Sequence, residues 1–378
     1  MRILHCPTSV GGHSNGISRA ERELGVASWS VAFNQSPFGH SCDECLWKDG
    51  ISLFHKELLR WKLLMKAFLR FDVIHYNFGT PILRWQFDPQ KIRKNAKLLH
   101  ILLSGYVNSC YFIERNILQN KIIAVTYQGD DARQSDYSKA LFKYSIAQEV
   151  DDAYYPEGSD QRKRDLIKKF DKIAANIYAL NPDLLYVLPH RTKFIPYAHI
   201  DLNDWIPSEH PRSKIPVILH APSHSGAKGT RFVLDAVSQL RQEGINFEFI
   251  LVESKNRSEA RKLYERCDLA IDQLLVGWYG GFAVEAMALG KPVITYIREE
   301  DTRFIPDEMK QELPFIQASP GTICAILREW LTQKVNELPA RGAISRSFVE
   351  KWHDPLKIAQ SFIKGYKKHS IGRKYEKD

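Results

Sequence analysis

The sequence predicts an α/β protein built from two Rossmann-like, doubly wound units, and three observations carry that expectation. Apolar runs of strand length alternate with helix-spaced apolar patterns, which implies mainly parallel sheets covered on both faces. The alternation runs twice, with a proline-crowded crossing between its passes at Pro196, Pro207, Pro211 and Pro216. A length of 378 residues suits two units of ordinary domain size, each able to bury a core.

In chain order, the first half opens with a strand over Arg2 to Cys6, a glycine-rich loop (Gly11, Gly12, Gly16), a helix stopping near Gly25 and a strand over Ser28 to Phe33. Further strands are expected at Asp72 to Tyr76, Lys121 to Tyr127 and Ile177 to Leu180, with helices between. The prolines and polar residues that follow read as an interdomain linker. The second half repeats the logic with a strand at Val217 to His220, then a helix from Lys228. That helix places Phe232, Val233, Ala236, Val237 and Leu240 at helical spacing and ends at Gly244. A strand over Phe247 to Val252, a helix from Arg257 and a strand over Asp268 to Asp272 follow. Gly277, Gly280 and Gly281 then lead into a short helix carrying Glu285 on an otherwise apolar segment. Gly290 stops this helix and Pro292 forbids its continuation, so Val293, Ile294 and Tyr296 start a strand. The last helical pattern runs from Val349 to Lys367.

Composition narrows the function classes. Six cysteines are too sparse for a disulfide scaffold. Cys42 and Cys45 lack a second ligand pair at metal spacing, so no metal site is expected. The opening MRILHCPTSVGG has too short an apolar run for a signal peptide. No apolar stretch reaches the length of a membrane span, because Leu98 to Ile113 is broken by Ser104, Gly105, Asn108 and Ser109. The expected location is the cytoplasm.

The net charge of +9 is partly local. Between Ile51 and Arg70, the cations Lys56, Arg60, Lys62, Lys66 and Arg70 face one anion, Glu57, among leucines and aromatics. This pattern reads first as the solvated face of a helix packed on a sheet, with a basic amphipathic helix on an anionic membrane as the alternative. The cations from Arg162 to Lys172 alternate with Asp160, Asp165 and Asp171 and read as a solvated helix. Neither cluster interleaves aromatics for base stacking, so nucleic acid is not an expected partner.

Ligands of doubly wound sheets sit beyond the carboxyl ends of the strands, so the loops there carry the candidate residues. Glycines ahead of a helix let a ligand approach bare backbone, and the helix N-terminus offers N–H groups to phosphate. Gly280, Gly281 and Phe282 are therefore candidates for a phosphate or nucleotide, and Glu285 can accept a hydrogen bond from a sugar hydroxyl. After the first strand, Gly11 and Gly12 stand in a loop that lacks GxGxxG spacing and are further candidates for phosphate. His13 there contacts acceptor or phosphate, or is a solvated loop histidine.

The run LLVGWYGGFAVEAMALGKPVITY resembles the donor motif of GT-B glycosyltransferases, specifically the retaining family GT4. That family carries a glutamate, seven residues, then a second glutamate in EAMAxGxPV. The resemblance assigns Glu285 to the ribose hydroxyls of a nucleotide sugar; the first glutamate position holds Gly277. QGDDAR resembles the family's HGxDxR, with Gly129, Asp131 and Arg133 matching and Gln128 replacing a histidine that contacts the donor sugar. A local Asp131–Arg133 ion pair holding the loop is the alternative. Lys228 and Gly229 match a KG whose lysine neutralises the donor diphosphate from the start of a helix. The family's nearby arginine is missing, with His224 and Arg231 as candidates to replace it.

The resemblance implies a GT-B fold, with two Rossmann-like domains facing each other across a cleft: residues 1–200 on the acceptor side, 214–350 on the nucleotide-sugar side, and 351–378 crossing back to the first domain. It implies transfer from a UDP- or GDP-linked sugar to a glycan or lipid-linked acceptor, with retention and without metal, in cell-surface polysaccharide synthesis. The nucleotide diphosphate sugar is a co-substrate and no cofactor is expected. Peripheral contact with the inner face of the plasma membrane follows from a lipid-linked acceptor. Two rivals stand beside this reading, a nucleotide-sugar 2-epimerase on the same fold and a non-catalytic GT-B sugar-binding partner.

Overall fold

The computed structural model describes residues 1–36, 39–83, 109–207 and 215–375. Most of Leu98 to Ile113, Pro211 and the expected boundary at residue 214 lie outside the described residues. Two parallel sheets organise the chain. The first contains β1 (Arg2–Cys6), β2 (Ala27–Ala32), β3 (Glu44–Cys45), β4 (Val73–Asn77), β5 (Ile122–Tyr127), β6 (Asn176–Ala179) and β7 (Lys193–Phe194) in the order β3-β2-β1-β4-β5-β6-β7. Ile3 stands opposite Ser28 on one side and Val73 on the other. The second contains β8 (Val217–His220), β9 (Glu248–Leu251), β10 (Leu269–Ile271), β11 (Val293–Thr295) and β12 (Ile316–Gln317) in the order β12-β11-β10-β8-β9. Both orders reverse beside their first strand, so the loops after β1 and β4, and after β8 and β10, flank the two switch points where ligands of such sheets bind. The two-residue strands β3, β7 and β12 left no trace in the hydrophobic pattern, being too short to show a period.

Helices cover both faces of the first sheet, leaving β4 and β5 buried at every residue. In the first domain, α1 (His13–Glu23) lies on one face, while α2 (Leu53–Arg70) and α4 (Ser159–Asp171) lie on the other; α3 (Ser135–Leu141) follows β5 in the chain. In the second, α5 (Ser225–Lys228), α6 (Thr230–Gln242), α7 (Arg257–Arg266), α8 (Gly281–Ala288), α9 (Asp307–Gln311), α10 (Ile323–Thr332) and α11 (Leu338–Trp352) surround the sheet. Val233, Val237 and Leu240 pack with Leu327 and Trp330 on one face. Tyr264, Val284, Met287 and Phe348 pack on the other.

Two expected helices are each divided. The helix expected from Lys228 is two, because Gly229 at φ 76° ends α5 and caps α6. Lys228 thus closes a one-turn helix instead of opening a long one. The Val349 to Lys367 pattern also divides, at His353 and Asp354, and α12 (Pro355–Tyr375) follows. Proline at that start lacks the N–H that continuing α11 would need. α12 returns to the first domain, where Ile358, Phe362 and Tyr366 join Ile3, Ile17, Val73 and Tyr178 in one buried cluster. His75 on β4 fixes that contact, with Nδ1 2.6 Å from the Tyr366 hydroxyl and Nε2 2.7 Å from Thr126 Oγ1.

The domains also touch along the cleft. Glu149 receives two hydrogen bonds from Arg231, at 2.5 and 2.8 Å. Arg231 is therefore occupied at an exposed interdomain bridge.

Candidate functional site

Two cavities, of about 290 and 390 Å³, open between the domains and share Val10, Gly11, Ser223, Lys228 and Gly281 as lining. Lys228 stands at their junction. Its Nζ is 2.5 Å from Gln273 Oε1 and 3.4 Å from Asp272 Oδ1. Asp272, buried at the end of β10, also accepts the Gly280 N–H through Oδ2 at 2.5 Å. One carboxylate thus shapes the turn before α8 and steadies the lysine. A side chain at Gly280 would crowd Lys228 Nζ, since a Cβ there would lie 2.9 Å from it.

The larger cavity carries Glu285. This side chain is buried, 3.4 Å from Arg257 Nη2 and 3.8 Å from His199 Nε2. Burial pushes its carboxyl up to about 7, against the opposing pull of Arg257. Phe282 lines the same cavity and packs on Tyr264, with centroids 4.9 Å apart.

The smaller cavity is walled by both domains. His13 lines it, and is neither solvated nor in the loop: it is the first residue of α1, buried, with Nδ1 accepting the Ala198 N–H at 3.2 Å. Burial, aided by His5, lowers it to about 3, so it stays neutral. Gln128 lines the cavity as well, held by backbone bonds to Asp131 and Asn181, with its Nε2 lacking a protein partner. His224 caps α5 by accepting the Ala227 N–H at 3.2 Å, and its ring meets Tyr154 edge to face.

Asp131 and Arg133 do not form the local ion pair. Asp131 turns back on its own loop, accepting N–H groups from Gln128 and Gly129, and does not line either cavity. Burial pushes its carboxyl up to about 7 despite these bonds. Arg133 lines the smaller cavity and holds Asp183 at 2.7 and 3.3 Å and Asp130 at 3.0 Å. Asp130 also accepts the Tyr154 and Tyr155 hydroxyls at 2.6 and 2.7 Å. Burial opposes its charge, yet Arg133 and these hydroxyls keep its carboxyl below the ordinary range. Gly11 lines both cavities; Gly12 caps α1 and Gly229 divides α5 from α6 without lining either.

Gly277 explains the missing glutamate. It adopts φ 83°, a conformation glycine tolerates and L-residues avoid. A Cβ there would lie 2.7 Å from the Arg298 guanidinium. Arg298 fills that space, bonding Asp301 at 2.6 Å and stacking 3.6 Å from the Phe142 ring centre.

Sequence reasoning missed Asp272 and Gln273, although their position directly after a strand of the second sheet was the available signal. It named Asp131 where Asp130 faces the cavity. Tyr154, Tyr155, His199 and Arg257 carried no motif.

No protein-family model matches the chain, and no curated protein matches it. Among solved structures, it is similar to sucrose-phosphate synthase from Thermosynechococcus elongatus, at 15% identity over 98% of this chain and 100% of that one, TM-score 0.60. It is similar to a glycosyltransferase from Rickettsia africae at 12% identity, 97% of each chain and TM-score 0.54. An α-glucosyltransferase solved with UDP and a 13-mer DNA gives 10% identity, 97% and 99% coverage and TM-score 0.56. These likenesses establish the architecture, which is the GT-B fold.

Proposed function

We propose that this protein is a retaining, metal-independent glycosyltransferase of the GT4 kind. It moves a sugar from a UDP- or GDP-linked donor to a glycan or lipid-linked acceptor. The observation that carries this reading is the meeting of the two cavities at Lys228 and the N-terminus of α8. The larger cavity, with Glu285, suits a nucleoside; the smaller, walled by both domains, suits the transferred sugar and the acceptor hydroxyl. The diphosphate between them would lie against Lys228 and the amides opening α8, which stabilise the charge that grows as the glycosidic bond breaks. Three donors already hold Asp130, the carboxylate of the smaller cavity. That supports attack by the acceptor on the leaving-group face, its proton passing to a donor phosphate oxygen, over a covalent glycosyl-enzyme. UDP bound to one of the solved structures of this fold supports a nucleotide donor.

A lipid-linked acceptor in cell-surface polysaccharide synthesis is the finer part of the proposal. Among the described residues no helix is long and apolar enough to cross a membrane. On α2, however, Leu58, Met65 and Leu69 are exposed along one stripe with Lys62, and Arg70 is exposed on the last turn, a composition that suits an anionic interface. Lys66 contributes less than its spacing implied, since Glu44 holds it.

A thermal-shift screen with UDP, GDP and their sugar conjugates, followed by a nucleotide-release assay, tests the proposal. Ligand at a hundredfold over Kd stabilises by about 2.7 kcal/mol. No shift with any of them would remove the donor reading, and binding without release in the presence of glycan or lipid-linked acceptors would favour a sugar-binding partner.

A further inference from the structure

The cavity around Glu285 holds buried polar atoms without protein partners: Ser9 Oγ, His40 Nδ1, Arg257 Nε and both ring nitrogens of His199. A buried imidazole with neither nitrogen satisfied costs free energy unless something polar meets it. His199 stands on the chain crossing from the first domain to the second, and its neighbours hold it still. The Ala198 N–H is bound by His13, the Tyr197 hydroxyl bonds Asn181 at 2.8 Å, and the Tyr197 carbonyl meets His353 at 2.8 Å. The ring lies over the start of α8, where Gly281 admits it; a Cβ at Gly281 would lie 3.4 Å from His199 Nε2.

We propose that His199 is a nucleoside-binding residue that shares the ribose diol with Glu285, so that the interdomain crossing and the second domain hold the donor together. The separation of 3.8 Å between His199 Nε2 and Glu285 Oε1 is too long for a direct hydrogen bond. It lets the two groups stand side by side in one cavity, facing a pair of vicinal hydroxyls. One hydroxyl donates to the carboxylate and the other meets the imidazole, satisfying an atom that the protein leaves unpaired. A site built on hydrogen bonds to a hydroxyl rejects the analogue lacking it, because its own polar groups are then stranded. Discrimination between ribose and deoxyribose is the signature expected of this geometry.

The inference rests on the reading of the cleft as a nucleoside diphosphate site. Calorimetric titration of the full-length protein with UDP, GDP and their 2′-deoxy and 3′-deoxy counterparts tests it, in wild type, His199→Ala and His199→Asn. Wild type should bind one ribonucleotide at least about tenfold better than one of its deoxy forms. His199→Ala should lose about tenfold for the ribonucleotide and under twofold for that deoxy form, and His199→Asn, which keeps a polar atom there, should recover part of the loss. Equal losses for ribose and deoxyribose, or none, would overturn the assignment while leaving the nucleotide site standing. Failure of wild type to bind either nucleotide would overturn both readings.

Discussion

Replacing Glu285 with glutamine should stabilise the ligand-free protein and weaken nucleotide binding in the same molecule. Burial raises this carboxyl from its ordinary 4.5 to about 7. The folded state therefore holds the proton more tightly than the unfolded chain. The penalty is absent below the unfolded value, grows as pH rises from 4.5, and is complete above about 7. At about 1.4 kcal/mol for each pH unit, the full gap sets a ceiling of about 3 kcal/mol at pH 8 and leaves under about 1 kcal/mol at pH 5. Glutamine keeps the shape and removes the charge. Arg257 loses its partner at little cost, because its side chain is one-third exposed and can turn to water. A gain near the ceiling would raise the melting temperature at pH 8 by about 5–10 °C. Binding moves the other way, since a charged acceptor of a ribose hydroxyl is worth about 1.5–3 kcal/mol, or tenfold and more in Kd. Differential scanning calorimetry at pH 5 and pH 8 and titration with the nucleotide found in the screen give both numbers. A variant less stable than wild type at pH 8, or one with unchanged affinity, would refute the reasoning.

Lys228→Ala should lower kcat more than it weakens nucleotide binding, because the lysine acts on charge that appears as diphosphate leaves; activity within twofold of wild type would contradict this. Arg133→Ala strands the buried Asp183, while Asp130 keeps two tyrosine hydroxyls, and should cost about 3–5 kcal/mol. Chemical denaturation reads it directly, and a loss under 1 kcal/mol would show that water already screens these charges. Lys62→Gln combined with Arg70→Gln should weaken sedimentation with anionic vesicles at low salt, by about 1 kcal/mol per cation. Wild type that does not sediment at all rules out the α2 surface as a membrane seat.

The alternation of β and α elements was legible because both central strands and amphipathic helices imprint their periods on the sequence. Glu285 and Lys228 were legible because each follows a glycine turn or starts a recognisable pattern beyond a strand. What periodicity cannot report is which of two adjacent acids points inward. Asp130 and Asp131 differ only in how the turn after β5 rotates them, and that rotation is fixed by Arg133, Asp183 and two tyrosines brought from other segments. His199 was silent for a similar reason, since its neighbours Gly281 and Glu285 lie some eighty residues away. The vacancy at Gly277 was visible, but its cause, the Arg298 guanidinium, came from the far side of β11.

The return of α12 to the first domain has a consequence for how the protein is made. Ribosomes deliver domains in order, and an N-terminal domain ordinarily folds while the next is still being synthesised. Here Ile358, Phe362 and Tyr366 complete a core whose other members include Ile3, Ile17 and Val73, so the first domain cannot close until nearly the whole chain has been translated. The second domain, encoded later, has the earlier opportunity to finish. A released chain ending at Asp354 should therefore show a protease-resistant second domain beside a labile first one, and resistance of the first domain in that chain would show that it closes without its last helix.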